Sequence, residues 1–405
     1  MGQSDNKRPK HHQSAIIKKY GRGKGGYRTW FRGEHTNYNP DVAALESPES
    51  VGEYVLKGWS PEAPIIDHST RITAFGSCFA ENISNWLSRR SFNVLNKADP
   101  ASNAYVVRMG EGMVNTFVIK QQFEWAWENK KFEESLWHGY DAEEYSYDET
   151  VRQETKAIFD ATDVFILTFG LSEIWYDEVS SNVFWRTVPV DAYDPKRHKF
   201  RVSTVEENCA NILEIRRLIS KHRPDAKTIL TLSPIPLIAT FRNAGCLTAN
   251  SVSKSTLRVA IDQAMSEAAD DSLYYWPSYE LVADVFHLPY KQDRRHIRAD
   301  VIEYILKLFE VTWCKDSEID ETEMLEAFVK AKIDARCLPD DLRPLLKKRK
   351  PWPLRKYLSD HSINSDVNVE KAQRETLERL LIAWRKERAV LQASSEQPKE
   401  NPASS

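Results

Sequence analysis

Short, uninterrupted apolar runs alternate along this chain with segments whose apolar residues recur at helical spacing. A run without polar alternation is typical of a strand buried on both faces, and helices between such strands favour a parallel sheet covered on both sides. The sequence therefore predicts an α/β fold, a three-layer α/β/α sandwich around a mostly parallel sheet. The strand candidates are Ile72–Phe75, Val164–Phe169, Thr228–Leu232 and Leu273–Trp276.

Two of the helices between these strands can be placed from the sequence. Thr204 and Glu207 have the spacing of a capping box, in which each side chain bonds the other residue's backbone N–H, and they predict a helix start. Further along, Leu257, Ile261 and Met265 recur on one helix face. Both helices lie between strand candidates, as the crossover connections of a parallel sheet require.

A glycine and a serine, Gly76 and Ser77, follow the first strand candidate, and a helix pattern follows them. Glycine permits a tight strand-to-helix turn, which places the Ser77 hydroxyl near the positive end of the helix, where a negative oxygen is favoured. Ser77 is therefore a candidate nucleophile, although serine is also favoured as a helix N-cap that does not react. Cys78 is a second candidate, because thiols at helix N-termini ionise readily. We favour Ser77 as the nucleophile, and we expect the backbone N–H groups of Ser77 and Cys78 to stabilise the oxyanion that forms on the substrate.

A carboxylate and a histidine follow the last strand candidate, as Asp293 and His296. A carboxylate three residues before a histidine can bond one ring nitrogen and leave the other to take a proton from a serine. Asp284 and His287 repeat this spacing, so the pattern alone is ambiguous. We favour Asp293 and His296, because their loop precedes the final helix of the sheet, and we expect His287 to be packed in its apolar run.

The Gly76-Ser77-Cys78-Phe79-Ala80 string resembles the signature of the GSCFA family, within the wider SGNH or GDSL-like ester hydrolase superfamily. The resemblance covers about residues 60–315, and the order of the matching stretches is more specific than any one of them. The other matching stretches are Leu167–Trp175, Leu230–Pro236, Trp276–Glu280 and Asp293–His296.

The resemblance implies a flavodoxin-like sheet of the SGNH type, with Ser77 as the nucleophile and Asp293 and His296 as its partners. One block departs from the superfamily, in which Gly-x-Asn-Asp supplies an asparagine to the oxyanion hole. Here that block reads Gly170, Leu171, Ser172 and Glu173. Ser172 and Glu173 either line the pocket or cap the next element, and Asn103 is our candidate for a substitute donor.

We expect a serine ester hydrolase that forms an acyl-enzyme intermediate on a small-molecule or glycan acyl ester. The alternatives are an O-acyltransferase that modifies a glycan and a binding protein without turnover on the same fold. The pattern implies no metal and no cofactor. Aromatic residues are frequent in residues 110–160 and 175–201, which either form a glycan groove or pack against the domain; we favour packing.

The resemblance implies a catalytic domain over residues 60–315, and the composition of the chain sets three further segments apart from it. Residues 1–33 contain nine Lys or Arg and one Asp, and we expect a flexible arm that is either solvated or bound to an anionic partner. We expect residues 316–392 to form a helical extension and residues 393–405 to form a disordered tail. The five scattered cysteines and the lack of a long apolar run favour a cytoplasmic protein without a transmembrane segment.

Overall fold

A parallel four-stranded sheet forms the centre of the molecule. The computed structural model describes residues 35, 37–109, 112–333, 338–342, 344 and 366–395. Ile72 pairs with Val164, Phe169 with Leu232, and Thr231 with Trp276, so neighbouring strands end at one edge. In spatial order the strands are β1, β2, β5 and β6, with bounds Ile72–Phe75, Val164–Phe169, Lys227–Leu232 and Leu273–Trp276.

A rudimentary strand lies on the outer side of β1. Val94 forms a parallel bridge with Ile72, and the Ile72 N–H donates to the Asn93 carbonyl at 2.9 Å. Beyond this bridge, the side chain of Asn96 bonds both the N–H and the carbonyl of Ala74, at 3.3 and 2.9 Å. A side-chain amide therefore continues the pairing of an exposed strand edge. With this bridge the strand order is flavodoxin-like, and the expected fold class is confirmed.

The helices cover both faces of the sheet. Inward side chains of the strands alternate: Ala74 and Ile166 belong to one core, Phe75 and Leu167 to the other. The longer helices are α1 Cys78–Arg89, α2 Thr116–Glu128, α3 Glu149–Ala161, α4 Val205–His222, α5 Cys246–Ala268, α6 Ala299–Trp313, α7 Glu321–Lys332 and α8 Asp366–Ser395. Short helical segments are Ala44–Glu46, Gly52–Leu56, Leu95–Ala98, Tyr105–Arg108, Val190–Ala192, Ser278–Glu280 and Leu281–Val285.

Each face has its own set of helices. Phe79 in α1 and Ile305 in α6 pack on one face, whereas Phe123 in α2, Ile212 in α4 and Leu257 in α5 pack on the other. The predicted capping box at the start of α4 is formed with both of its bonds. The layers are therefore helix, sheet and helix, as the apolar runs predicted.

A hairpin that the sequence did not predict follows β2. Its strands are β3, Glu173–Asp177, and β4, His198–Val202, which pair antiparallel. The aromatic segments around it are largely core: Trp125, Trp137 and Trp185 are fully buried. For these residues packing against the domain, the interpretation that we favoured, is confirmed.

The helical extension packs on the face covered by α1 and α6. Leu377, Leu380 and Trp384 of α8 are buried in the same core as Phe309. Within the part of the chain that the structure describes, no helix has both the length and the apolar character needed to span a membrane. The basic arm, residues 1–33, and most of the predicted tail lie outside the described residues.

Candidate active site

The turn that carries Ser77 is formed by the close approach of two strand ends. Gly76 has a φ of +132°, and a Cβ atom at this position would lie 2.1 Å from the Thr168 carbonyl oxygen in β2. Only glycine fits, since any side chain would clash there and would also strain the backbone. Gly76 therefore lets β1 pass directly into α1 against the end of β2.

Ser77 occupies the N-cap position of α1 and is 3% exposed. Its Oγ accepts a hydrogen bond from the Phe79 backbone N–H at 3.1 Å, so Ser77 does cap the helix. Capping uses the hydroxyl oxygen only as an acceptor, which leaves the hydroxyl proton for a general base. The capping role and the proposed nucleophilic role are therefore compatible.

The backbone around this turn offers a donor to an oxyanion. The positive end of the α1 dipole lies here, and the Ser77 N–H has no hydrogen-bond partner among the described residues. In contrast, the N–H groups of Gly170–Ser172 are occupied: the first two donate to the Val114 carbonyl at 2.7 and 3.3 Å, and the third to the Ser253 hydroxyl at 2.8 Å. The Ser77 turn, and not the altered block, presents the open backbone donor.

Ser172 and Glu173 attach the β3–β4 hairpin to its surroundings. Ser172 is fully buried, and its Oγ has no hydrogen-bond partner within the described residues. Its carbonyl accepts bonds from the backbone N–H and the hydroxyl of Ser203, at 2.7 and 2.9 Å. Glu173 begins β3 and accepts a 2.7 Å bond from the Thr240 hydroxyl. These contacts agree with the interpretation that the two residues secure the next element, and their pocket role stays a prediction.

Asp293 and His296 form a hydrogen-bonded pair in the loop before α6. Asp293 Oδ2 lies 2.5 Å from His296 Nδ1, and Oδ1 accepts bonds from the backbone N–H groups of Arg295 and His296, each at 3.0 Å. The bond to the His296 side chain and these backbone bonds lower the pKa of Asp293 to about 2, so its carboxylate is charged at neutral pH. Because Nδ1 is held by the carboxylate, Nε2 is the nitrogen that can accept a proton.

The loop with this pair is tied to the carboxyl edge of the sheet. Tyr290 and Ile297 form an antiparallel bridge that closes the loop, and the Tyr290 hydroxyl donates to the Pro234 carbonyl at 2.9 Å. Pro234 lies just beyond the end of β5 at Leu232. Ligands of parallel sheets bind at this edge, so the histidine loop and the Ser77 turn both contribute to the expected site region.

No direct hydrogen bond joins the two halves of the site. In the part of the chain described by the structure, the Ser77 hydroxyl is not bonded to the His296 ring, and the His296 side chain is 56% exposed. Catalytic hydrogen bonds are often long or poorly aligned in the absence of substrate. The pairing of Ser77 with His296 therefore stays a prediction.

The second histidine motif differs from our expectation. His287 is exposed, because the chain leaves the core after Phe286 and turns outward through Leu288, whose φ is +48°. The expectation that His287 is packed is wrong. Its ring has no hydrogen-bonded carboxylate among the described residues, whereas His296 has Asp293. The carboxylate contact, and not burial, is what separates the two histidines.

Asn103 lies in the segment between two short helices. It is exposed, and its backbone N–H donates to a carboxylate oxygen of Glu154 in α3 at 2.8 Å. Its side-chain amide makes no hydrogen bond within the described part of the chain. A role for Asn103 as the substitute oxyanion donor therefore stays a prediction.

Sequence reasoning missed a lysine at the centre of this edge. Lys254 of α5 is 2% exposed, and its Nζ donates to the carbonyl oxygens of Gly170 and Ser233, each at 2.7 Å. The signal was present in the sequence, since Lys254 lies at helical spacing before Leu257 and Ile261, on the apolar side of the helix. A lysine at an apolar position of a helix is therefore the sequence signal that could have revealed this residue.

The sequence of this site can be compared with those of known proteins. A search of curated proteins finds no relative of the chain. The sequence matches the GSCFA family over residues 71–309, more than half of its length. The match runs from the residue before β1 into α6, and it includes the Ser77 turn, the altered block and the Asp293–His296 pair. The chain belongs to the GSCFA family.

Proposed function

We propose that this protein is a serine ester hydrolase in which Ser77 is the nucleophile, His296 the general base and Asp293 the residue that orients His296. One observation carries the proposal. At the carboxyl edge of the sheet lies a serine whose hydroxyl oxygen accepts a hydrogen bond and whose hydroxyl proton is not used in that bond. The loop that carries the hydrogen-bonded histidine and carboxylate is attached to the same edge, just beyond the end of β5. These are the parts of a Ser-His-Asp site, and the SGNH-like resemblance assigns the same roles to the same residues.

The first half of the reaction forms the acyl-enzyme. His296 Nε2 removes the proton from the Ser77 hydroxyl as Oγ attacks the ester carbonyl carbon. The carbonyl oxygen becomes an oxyanion, which the Ser77 backbone N–H and the positive end of α1 stabilise. The tetrahedral intermediate then collapses: the bond to the alcohol oxygen breaks, and that oxygen takes the proton from His296.

The second half releases the acid. His296 removes a proton from a water molecule, which attacks the acyl carbon, and Ser77 leaves with the proton returned by His296. Asp293 stays ionised throughout and stabilises the imidazolium that forms twice in the cycle. Its low pKa supports this role.

The acyl group of the substrate would meet an apolar surface after β5. Ile238, Phe241 and Leu247 are exposed there, and Phe241 lies edge-on to Trp175 with ring centroids 5.3 Å apart. Exposed apolar groups that follow the carboxyl end of a strand in a parallel sheet favour an apolar portion of a ligand bound at that edge. We propose a small-molecule or glycan ester whose acyl part contacts this surface.

We also propose that the protein works in a reducing, cytoplasmic compartment. No disulfide joins the four cysteines that the structure describes, at positions 78, 209, 246 and 314. Cysteines kept as thiols are typical of the cytoplasm.

The proposal is tested with a fluorophosphonate probe, which forms a covalent adduct with activated serines, on the full-length chain. We expect the wild type to be labelled, with the adduct mapped to Ser77, and Ser77→Ala not to be labelled. The variant also loses a helix cap, which costs about 1 kcal/mol. Thr204→Ala is the matched control, because Thr204 caps α4 in the same way.

Thr204→Ala should lose similar stability and keep full labelling. If Ser77→Ala and Thr204→Ala both lose labelling, the loss reflects folding and not the nucleophile. If the folded wild type is neither labelled nor active on acetyl, aryl and CoA esters, the protein is a binding protein on this fold and the proposal is wrong.

A further inference from the structure

A buried lysine lies where two neighbouring strands end. Phe169, the last residue of β2, pairs with Leu232, the last residue of β5. Gly170 and Ser233 are the residues that directly follow these two strands. The Lys254 ammonium donates to both of their carbonyl oxygens, at 2.7 Å each. Lys254 thus closes the sheet ladder at the edge that carries the proposed site.

Burial of an amine at this position is costly. Lys254 is 2% exposed, and burial lowers its pKa to about 7, while negative charge on Cys78 acts in the opposite direction. A methionine would fill similar space without the cost of burying a charge. Of the three N–H donors of the ammonium, two are used within the described residues. The amine therefore holds the two strand ends together and does not serve packing alone.

The strand end that Lys254 holds is the one on which the nucleophile turn rests. Gly76 lies directly against the Thr168 backbone, two residues before Gly170. A shift of the β2 end would therefore move the Ser77 hydroxyl. Negative charge on Cys78, at the start of α1, opposes the lowering of the Lys254 pKa, so a charged Lys254 and a negative Cys78 favour each other.

We propose that Lys254 is a positioning residue for the nucleophile turn, an inference that rests on the hydrolase function proposed above. It fixes the ends of β2 and β5 through Gly170 and Ser233. When it is protonated, its charge also favours negative charge at the Ser77–Cys78 turn. Lys254 does not itself contact the substrate. It acts through the backbone of the strand ends and through its electrostatic charge.

The test compares Lys254→Met with Lys332→Met in the full-length chain. Lys332 is also buried and donates to a main-chain carbonyl, that of Val285, but it belongs to α7. Two rates are measured at pH 7: fluorophosphonate labelling of Ser77, and alkylation of Cys78 by iodoacetamide, followed by peptide mass spectrometry. Cys246, half-buried like Cys78, is the internal reference.

We expect Lys254→Met to lower the labelling rate of Ser77 by about tenfold or more, because the turn loses its support. Coupling between two charged groups is reciprocal, so alkylation of Cys78 should fall by about three- to tenfold, with Cys246 unchanged. Lys332→Met should change neither rate. If Lys254→Met does not fold, Lys254→Gln, which keeps an amide donor without the charge, is used and should show the same direction.

The outcomes separate this inference from the hydrolase proposal. A folded Lys254 variant with wild-type rates at both residues overturns the positioning role, and the hydrolase proposal is then unaffected as long as the wild type is labelled at Ser77. A wild type that is not labelled at Ser77, with Cys78 alkylation still dependent on Lys254, overturns the hydrolase function and keeps Lys254 as the residue that sets the turn. An equal fall at Cys246 would show a general disturbance of α5 and would also count against the inference.

Discussion

The two halves of the candidate site are built in opposite ways. The Ser77 turn is buried, and long-range packing fixes it: Gly76 rests on the β2 backbone, and Lys254 holds the end of that strand. The Asp293–His296 pair lies on an exposed loop and is formed by contacts within a few residues. We therefore expect the nucleophile to be preformed and the exposed base to be able to adjust. Substitutions in the turn should alter stability and activity together, and substitutions of the exposed Asp293 and His296 side chains should alter mainly activity.

Gly76→Ala should have the largest effect. The added Cβ would lie 2.1 Å from the Thr168 oxygen, in a backbone conformation with a φ of +132°. Strain and overpacking together should lower the free energy of unfolding by about 2–6 kcal/mol. Urea denaturation measures this. Gly52→Ala is the control, since nothing lies within 4 Å of its Cβ position, and it should leave stability unchanged or slightly raised. Equal effects at both glycines would contradict the rigid turn.

His296→Ala should lower the turnover of an ester that the wild type hydrolyses by about 10²–10⁴-fold, the usual contribution of a general base. The melting temperature should not change, because the side chain is exposed. His287→Ala is the matched control, since His287 is also an exposed histidine three residues after an aspartate. A larger loss at His287 than at His296 would reverse our assignment.

Asp293→Asn should lower turnover by about 10–100-fold, less than at a buried triad, since water partly replaces the lost charge. The pKa of Asp293 is lowered to about 2 in the folded protein. Any stabilisation of the loop by the carboxylate is therefore present above about pH 4 and lost as the pH falls towards about 2. Urea denaturation of the wild type and of Asp293→Asn at pH 5 and pH 3 measures this, and the difference in stability between the two proteins should be smaller at pH 3. Unchanged turnover in Asp293→Asn would show that His296 needs no orienting carboxylate.

The sequence predicted the buried half of the site better than the exposed half. The strand, the glycine turn and the helix capped by Ser77 were predicted correctly, because strand burial and helix capping leave strong local patterns. The nucleophilic role of Ser77 stays a prediction. The environment of His287 was predicted wrongly, since an apolar run does not show where a loop leaves the core. Lys254 was missed, because its partners Gly170 and Ser233 are distant in sequence and only the fold brings them together.

Tyr290→Phe should have the smallest effect, and it isolates the anchor of the histidine loop. The variant loses the bond to the Pro234 carbonyl, which should cost about 0.5–1.5 kcal/mol of stability. Turnover should fall only a few-fold, because an adjustable loop can still bring His296 to Ser77. Fluorophosphonate labelling and urea denaturation of the same preparation measure both. A loss as large as that of His296→Ala would mean that the loop is held rigidly in place.

The central claim is that Ser77, and not its neighbour Cys78, carries the acyl group. The most direct measurement is to mix the protein with p-nitrophenyl acetate, quench with acid within the first turnovers, and map the acetyl group by peptide mass spectrometry. We expect one acetyl group on Ser77, stable to mild hydroxylamine, and slower acetylation in His296→Ala. An acetyl group on Cys78 that hydroxylamine removes, or no acetyl-enzyme during measurable hydrolysis, would contradict it.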